Sequence, residues 1–266
     1  MDSLDDLLQA AMMAARAAAE VHHRSLHRLE PGDWTEKGPA DFVSEVDHEA
    51  EAEAVGEIRG RFPEHAIAAE ESDWGGPAPA EAEVTWYIDP LDGTTNFLHG
   101  YPFYSASVAA IDSQGLAAAV VINSANWETF QAKRGSGAER NGEPISVSRI
   151  TELKFALIGT GFPFKKLELL DDYLTQFRSI LPQTSGIRRT GSAAIDLCDL
   201  ACGRLDGFWE LHLAPWDVAA GVLILREAAG IITDLEGNED VVKHGAFVAG
   251  NPQIYQALRR TLEGIG

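Results

Sequence analysis

Two carboxylates separated by a proline follow an apolar run in residues 86–97, which read WYIDPLDGTTNF. We expect Pro90 to end strand pairing and to fix the chain, so that Asp89 and Asp92 are held near one another. Gly93 lets backbone amides come close to a bound anion. Fixed carboxylates beside an anion cradle favour a bound cation, although an Asp-Pro-x-Asp-Gly string is also typical of an ordinary turn.

Acidic residues elsewhere in the chain favour the metal-site interpretation. Glu70 and Glu71 follow a predicted strand at 65–69, and α/β proteins tend to bind ligands at the carboxyl ends of strands. By themselves these two residues would be typical of a solvated loop. Asp217 lies in the first turn of a predicted helix at 215–229 that is apolar on nearly every side. Its carboxylate is therefore either a helix cap or a ligand.

The overall charge limits the classes of partner. The 266 residues carry 41 acidic against 21 basic side chains, a formal net charge of -20. Such a surface repels polyphosphate backbones, so we expect no direct nucleic-acid binding, and a small anionic substrate would need metal ions to offset the negative electrostatic field.

There is no basic region ahead of an apolar stretch at the amino terminus, and no apolar run reaches membrane-spanning length. We expect a cytoplasmic protein without membrane contact.

Periodicity predicts an alternation of helices and strands. An amphipathic helix runs from about residue 4 to 28, and a second follows Ser44, whose hydroxyl can cap it, and ends near Gly60. Asn141-Gly142 marks a tight turn. Shorter strands are predicted at 65–69, 84–88, 105–111, 116–122, 129–133, 205–211, 231–234 and 246–249, and helices at 167–180, 192–202 and 215–229. This alternation predicts a layered α/β fold.

The remaining metal-binding residue types have simpler interpretations. His22, His23 and His27 lie near the end of the first predicted helix, where solvated histidines are common and favour the helix dipole. Cys198 and Cys202 lie four residues apart with no second pair to complete a zinc site, so we expect reduced core residues.

Five motifs occur in one order along the chain: KGPADFVSEVD at 37–47, AEES at 69–72, DPLDGTTNF at 89–97, GSA at 191–193 and WDVAAG at 216–221. Together they resemble the inositol monophosphatase family of magnesium-dependent, lithium-sensitive phosphatases, and the resemblance covers nearly the whole chain. It implies an α-β-α-β-α layered sandwich of the α/β class and a homodimer. We expect one compact catalytic unit, with most metal ligands in an N-terminal subdomain (1–160) and a C-terminal subdomain at 161–266.

The resemblance assigns the metal ligands. The family's metal-binding positions are matched by four carboxylates and one carbonyl, those of Glu70, Asp89, Asp92, Asp217 and Leu91. Two or three Mg²⁺ ions are implied, and hard Mg²⁺ suits a few carboxylates plus substrate phosphate oxygens. Paired ions can activate water on one side and neutralise the leaving alkoxide on the other. Asp47 and Lys37 match positions around a third, looser metal site.

Catalytic and substrate roles are implied in the same way. Thr94 matches the residue that, with Glu70, orients the attacking water, and Asp92 belongs with them to the catalytic set. The positions that match contacts to phosphate or inositol are Leu91, Gly93, Thr94, Gly191, Ser192, Ala193, Glu210 and Asp217. The amides of Gly93 and Thr94 would hold phosphate. Glu210 also fits a half-buried strand on which it faces solvent.

Three positions differ from those of many relatives or of a related family, and the first of them lies near the inositol. Ala214 stands where many relatives have a histidine near the inositol, and Thr95 stands where histidinol-phosphate phosphatases have lysine. Residues 122–124 read Ile-Asn-Ser where many relatives have Tyr-Asp-Pro.

The predicted function is hydrolysis of inositol monophosphate. The alternatives are fructose 1,6-bisphosphate, histidinol phosphate or a 3'(2'),5'-bisphosphate nucleotide as substrate, and a role as a partner of the transcription machinery.

Overall fold

The computed structural model describes residues 2–26, 32–38, 41–78 and 81–264. Its helices are α1 (Leu4–Ser25), α2 (Glu45–Arg61), α3 (Thr94–Leu98), α4 (Leu170–Ile180), α5 (Ala193–Ala201), α6 (Pro215–Glu227), α7 (Val241–His244) and α8 (Pro252–Glu263). Its strands are β1 (Trp34–Gly38), β2 (Asp41–Ser44), β3 (Ala66–Ala69), β4 (Val84–Asp92), β5 (Ser105–Asp112), β6 (Gly115–Asn123), β7 (Glu128–Lys133), β8 (Ala138–Arg140), β9 (Glu143–Ile145), β10 (Leu157–Thr160), β11 (Gly186–Arg188), β12 (Gly207–Glu210), β13 (Ile231–Thr233) and β14 (Phe247–Gly250).

Two sheets and a hairpin contain these strands. The strands β3 to β9 form a seven-stranded sheet in chain order, antiparallel except for the parallel pair β3 and β4. The five-stranded sheet has the order β11-β10-β12-β14-β13, and its first three strands are parallel. The strands β1 and β2 pair only with each other, as an antiparallel hairpin, within the described residues.

Three apolar clusters pack the helices and the two sheets into five layers. The first packs α1 and α2 against one face of the seven-stranded sheet, around Ala14, Val55 and Trp86. The second lies between the two sheets and encloses α5 and α6. The third packs α4 and α8 on the outer face of the five-stranded sheet, around Tyr173 and Trp209. The predicted α-β-α-β-α sandwich is therefore confirmed.

The first helix ends earlier than predicted and buries one of its histidines. It stops at Ser25, and residues 27 and 28, with His27, lie outside the described residues. His23 is exposed as expected. The expectation of a solvated side chain is wrong for His22, which is fully buried because its ring packs against Phe97 and Tyr104 at 5.9 and 6.2 Å between ring centroids.

A bulge brings the two predicted loop carboxylates to one face. We define residues 89–94 as the acidic loop. Asp89 pairs with Ser107 and Asp92 with Ser105, so β4 carries one extra residue here relative to β5. Residues three apart on a regular strand point to opposite faces of the sheet. Because of the extra residue, Asp89 and Asp92 instead lie opposite residues that are two apart on β5, and so share one face. The strand therefore continues through Pro90 to Asp92, and the expectation that the proline ends pairing is wrong.

The other local predictions have mixed outcomes. Ser44 caps α2 by accepting the Val46 amide at 3.2 Å, as expected. Asn141 and Gly142 form the predicted turn, with φ values of 52° and 81° that suit a type I′ hairpin. The hairpin β1–β2, the short elements α3, α7, β8, β9 and β11, and the terminal helix α8 were not predicted.

Two further expectations concern the whole chain. Among the described residues, no helix combines the length and the apolar character that a bilayer crossing requires. The division into subdomains near residue 160 stays a prediction.

Candidate active site

Three carboxylates from three different elements converge at one end of the seven-stranded sheet. Glu70 directly follows β3, Asp89 lies in β4, and Asp217 lies in the first turn of α6. A carboxylate oxygen of each lies within 4.8 Å of the other two. The Glu70 amide donates to the Ile88 carbonyl at 3.2 Å, so parallel pairing of β3 and β4 brings the first two carboxylates together.

Asp92 lines the same cavity but lies outside this group of three. Its Oδ2 accepts the Ser192 hydroxyl at 2.6 Å and the Ala194 amide at 2.8 Å. Ser192 also caps α5, because its oxygen accepts the Ile195 amide at 3.3 Å. One Asp92 oxygen is thus committed to joining the acidic loop to α5.

Asp217 acts as a cap and also belongs to the acidic group. Its Oδ2 accepts the Ala214 amide at 2.7 Å, while Pro215 occupies the first helical position, where no backbone donor is needed. The two interpretations of this carboxylate are therefore compatible, since the capped residue still reaches Glu70 and Asp89.

Burial and mutual repulsion disturb the charge of this group. Burial, with the nearby Glu70 charge, raises the pKa of Asp217 to about 7. Burial also raises the pKa of Asp92 to about 6, although the Ser192 hydrogen bond opposes the shift. The same burial and the neighbouring carboxylates raise the pKa of Asp89 well above its usual range. The positive charge of Lys165 opposes the shift at Asp217 without cancelling it, and a bound cation would add the missing counter-charge.

Thr94 links the acidic loop to α2. Its hydroxyl lies 3.0 Å from Asp47 Oδ1 and 3.0 Å from the Leu91 carbonyl, and it can donate to either. Asp47 Oδ2 also accepts the amide and the hydroxyl of Ser44, at 2.8 and 2.7 Å. The structure therefore assigns Asp47 to helix capping and to orienting Thr94, while the looser metal site stays a prediction.

A buried acid that the sequence reasoning missed holds the chain at Glu71, the residue after Glu70. Glu51 is fully buried on α2 and accepts the Glu71 amide at 2.7 Å and the Trp74 indole at 2.8 Å. Lys37 on the hairpin lies 2.7 Å from Glu71 and 3.5 Å from Glu70. The signal for Glu51 was its place between alanines on the apolar face of a predicted helix, since a buried acid needs fixed donors.

Gly93 permits the tight path of the acidic loop. Its φ is 92°, in the left-handed region that favours glycine. A Cβ atom at this position would lie 2.8 Å from the Phe103 carbonyl oxygen. Both the conformation and the space require glycine.

A cavity of about 620 Å³ opens above these residues. Its lining includes the whole acidic group and all the remaining predicted substrate positions, namely Leu91, Gly93, Thr94, Gly191, Ser192, Ala193 and Glu210. Glu210 packs so closely over Gly161 that a Cβ there would overlap its carboxylate. Burial, with Asp196 and Asp217 nearby, raises the pKa of Glu210 well above its usual range. Glu210 is half-buried and lines the cavity.

The wall around Glu210 contains residues that the sequence reasoning did not single out. Arg189 lies 5.7 Å from the ring centroid of Phe162 and 5.1 Å from that of Phe164. Lys165 reaches across to Asp41 on the hairpin at 2.7 Å. We call this wall, with Glu210, the organic end of the cavity. The sequence indicated this wall only weakly, because the loop residues 161–166 follow no regular hydrophobic pattern.

The layered fold with carboxylates at strand ends is the architecture of the sugar-phosphatase superfamily. Within it, this chain belongs to the inositol monophosphatase family, whose model matches residues 3–265.

Relatives of two descriptions match over almost their full length. The Nus factor SuhB of Pseudomonas aeruginosa is 43% identical, covering 98% of this chain and 97% of that protein. The Nus factor SuhB of Escherichia coli is 39% identical, covering 95% and 94%. Among solved structures, the extragenic suppressor protein suhB of Bartonella henselae has a TM-score of 0.89 at 39% identity, covering 97% and 98%. The inositol monophosphatase of Anabaena has a TM-score of 0.88 at 37% identity, covering 99% and 97%.

Proposed function

We propose that this protein is a magnesium-dependent phosphomonoesterase whose leading substrate is inositol monophosphate. The observation that carries the proposal is the convergence of Glu70, Asp89 and Asp217 within 4.8 Å beside a cavity of about 620 Å³. Three acids from separate elements, with raised pKa values for two of them, are costly without a cation.

The donor set fits magnesium. Carboxylate and carbonyl oxygens are the ligands that hard cations prefer, and Mg²⁺ is usually held by a few of them plus substrate phosphate oxygens. We propose that the ligands are Glu70, Asp89, Asp92, Asp217 and the Leu91 carbonyl. When bound, magnesium ions would offset the charge of the phosphate and lower the pKa of water.

The protein's own groups orient the reacting partners. We propose that Glu70 accepts the proton of the attacking water while Thr94, held by Asp47, fixes the direction of attack. The amides of Gly93 and Thr94 are proposed to hold the phosphate, since Gly93 has no side chain to prevent its approach.

The organic end is proposed to hold the polyol. Bound magnesium would offset the charge of Asp217, which helps to raise the pKa of Glu210, and the ionised Glu210 would then accept hydrogen bonds from the hydroxyls. The segment Gly191-Ser-Ala193 lines the same cavity. Related phosphatase substrates remain alternatives, because the acidic group would serve any phosphate ester and selection depends on loop residues.

A substrate panel tests the proposed function. Phosphate release should be measured from inositol 1-phosphate, fructose 1,6-bisphosphate, histidinol phosphate and adenosine 3',5'-bisphosphate, each with magnesium and with a chelator. We expect fastest turnover of the inositol ester, only with magnesium, and inhibition by lithium but not by matched sodium. Faster hydrolysis of another ester would replace the substrate, and magnesium-independent turnover would overturn the metal assignment.

A second role is favoured by the names of the relatives. SuhB of Pseudomonas aeruginosa and of Escherichia coli are each called a Nus factor. We propose that this chain also contacts a protein of the transcription machinery, while the prediction of no direct nucleic-acid contact remains untested. Pull-down with Asp89→Asn compared with the native protein tests this, because a partner role should survive the loss of hydrolysis. Capture that depends on an intact Asp89, or no capture of a transcription protein, would contradict it.

The assembly and the location also remain proposals. We propose a cytoplasmic homodimer. Leucines on either side of α4, Leu167 before it and Leu181 after it, are 61% and 48% exposed and provide apolar surface for a second subunit. Light scattering during size-exclusion chromatography would detect a dimer, and a mass near 28.8 kDa would exclude it.

A further inference from the structure

Of the three carboxylates that converge at the sheet end, Glu70 is the one that lies just outside a strand or helix. Its backbone is nevertheless held on both sides. The Glu70 amide donates to the Ile88 carbonyl of β4 at 3.2 Å. The next amide along the chain, that of Glu71, donates to Glu51 Oε2 at 2.7 Å. Strand β4 therefore fixes the peptide before Glu70, and helix α2 fixes the peptide after it.

These two hydrogen bonds determine the direction of the Glu70 side chain. Each peptide is planar, so the two planes that meet at a Cα atom set both backbone dihedral angles of that residue. The direction of the Cβ bond follows from those angles. Glu51 therefore helps to set the direction from which the Glu70 carboxylate approaches Asp89 and Asp217, although Glu51 itself does not line the cavity.

Glu51 is firmly held as well. It is 0% exposed, and its second oxygen, Oε1, accepts the Trp74 indole N–H at 2.8 Å. Both oxygens of this carboxylate thus have an N–H donor, which a buried acid requires. The side chain is therefore a fixed acceptor for the Glu71 amide.

The same helix also supports Thr94. Asp47 lies four residues before Glu51 in α2, so the two acids share one face of the helix. Asp47 Oδ1 lies 3.0 Å from the Thr94 hydroxyl. Thr94 and Glu70 are the pair proposed to orient the attacking water. Two acids of α2 thus reach both members of that pair, one through a side chain and the other through a backbone amide.

We propose that Glu51 is a positioning residue that fixes Glu70, through the Glu71 amide, in the orientation required to bind magnesium. Helix α2 is then the common support that sets Glu70 and Thr94 relative to each other. The inference rests on the proposed metal site.

Magnesium binding by designed variants tests the proposal. Glu51→Met removes both acceptor oxygens and keeps a long side chain in the buried site. Trp74→Phe removes only the indole N–H and leaves the hydrogen bond from the Glu71 amide to Glu51. Ile58→Val, at a fully buried position on α2, is the matched control for lost packing. Magnesium chloride is titrated calorimetrically into each metal-free protein, and thermal unfolding is recorded in parallel.

Two further measurements separate positioning of Glu70 from general support of the fold. Glu51→Met is combined with Glu70→Gln, because losses that act through one residue are not additive. Hydrogen exchange of the Glu71 amide in the metal-free protein reports on the hydrogen bond itself.

We expect Glu51→Met to weaken magnesium binding by about 2- to 10-fold, the range of one hydrogen bond. Trp74→Phe and Ile58→Val should stay within about twofold of the native affinity, although Ile58→Val should lose stability. In the Glu70→Gln background, Glu51→Met should add less than about a twofold loss. The Glu71 amide should exchange slowly in the native protein and at least about tenfold faster in Glu51→Met.

Several outcomes would overturn the proposal. Native affinity in Glu51→Met, an equal loss in Trp74→Phe, the full loss again in the Glu70→Gln background, or rapid exchange of the native Glu71 amide would each do so. If Glu51→Met fails to fold, Glu51→Asp, which keeps the charge and shortens the side chain, replaces it and should lose affinity in the same direction. Absence of magnesium binding by the native protein would instead defeat the proposed function, and this inference with it.

Discussion

The two ends of the cavity are built on different principles. At the acidic end, strand pairing positions Glu70, a bulge positions Asp89 and the start of α6 positions Asp217. Backbone amides donate to one carboxylate oxygen of Asp89 and to one of Asp217. At the organic end, Arg189 and Phe164 come from irregular segments, and Phe164 is 45% exposed. Rigid elements therefore position the groups proposed for the reaction, while the groups proposed for selecting the substrate combine Glu210, the last residue of β12, with loop residues.

The largest effect is expected at the acidic end. Replacing Asp89 or Asp217 with Asn keeps the size of the side chain and removes a charged ligand. Turnover of every ester in the panel should fall by about three orders of magnitude or more, because both water activation and charge stabilisation are lost. Steady-state kinetics at saturating magnesium measures this. Asp171→Asn, at an exposed carboxylate in the first turn of α4, is the control and should remain active.

Near-native turnover in either active-site variant would contradict the metal assignment. It would also contradict the proposed difference between the two ends, because turnover would then not depend on the carboxylates of the acidic end.

The next effect should be confined to one kind of substrate. Glu210→Gln removes the charge of the proposed hydroxyl acceptor, and hydrogen bonds to charged groups contribute about 1.5 to 3 kcal/mol. The kcat/KM for inositol 1-phosphate should fall by about one to two orders of magnitude. Hydrolysis of para-nitrophenyl phosphate, which has no polyol, should be nearly unchanged.

Measuring both esters on one preparation of Glu210→Gln controls for misfolding and metal loss, which would lower both rates. Parallel losses would show that Glu210 does not select the substrate, and the proposed polyol would then depend on family membership alone.

The sequence predicted the acidic end better than the organic end, and the reason is physical. Asp89, Gly93 and Asp217 lie in local strings whose residue types are fixed by bulge, turn and capping geometry. The alternation of apolar segments was enough to predict a layered α/β fold, while the number of layers was implied by the family resemblance. Arg189 and Phe162 meet only after distant segments have folded, so no local pattern could indicate the contact.

The errors in prediction have the same origin. Burial of His22 depends on Phe97 and Tyr104, which are far away in sequence. The short elements β8, β9 and β11 gain their order from neighbouring strands. The helix α8 did carry a local signal, since Asn251 caps it and Pro252 occupies its first position.

A third effect, on stability, follows from the raised pKa values at the acidic end. Burial raises the pKa of Asp92 to about 6 and that of Asp217 to about 7, above the usual carboxyl value near 4. The folded protein then binds more protons than the unfolded chain in this window, so metal-free stability should fall as pH rises through it. The unfolding temperature in chelator should be several degrees lower at about pH 8 than at about pH 5, and magnesium should raise it most at the higher pH.

General repulsion in a protein of net charge -20 also lowers stability at high pH, so the control is Asp217→Asn. This variant should show a flatter pH dependence and a smaller magnesium effect. The same slope in both proteins would show that the acidic group does not cause it.

The smallest effect is expected at the wall of the organic end. Phe164→Leu removes an aromatic ring that lies 5.1 Å from Arg189, and exposed cation–π contacts are worth about 0.5 to 1 kcal/mol. The KM for inositol 1-phosphate should rise by about 2- to 5-fold with little change in kcat, because Arg189 would be held less firmly beside Glu210. Phe155→Leu is the matched control, since Phe155 is 59% exposed and does not line the cavity. A loss of kcat in Phe164→Leu as large as that in Asp217→Asn would show that the loop wall takes part in the reaction itself, and the proposed division of work between the two ends would be wrong.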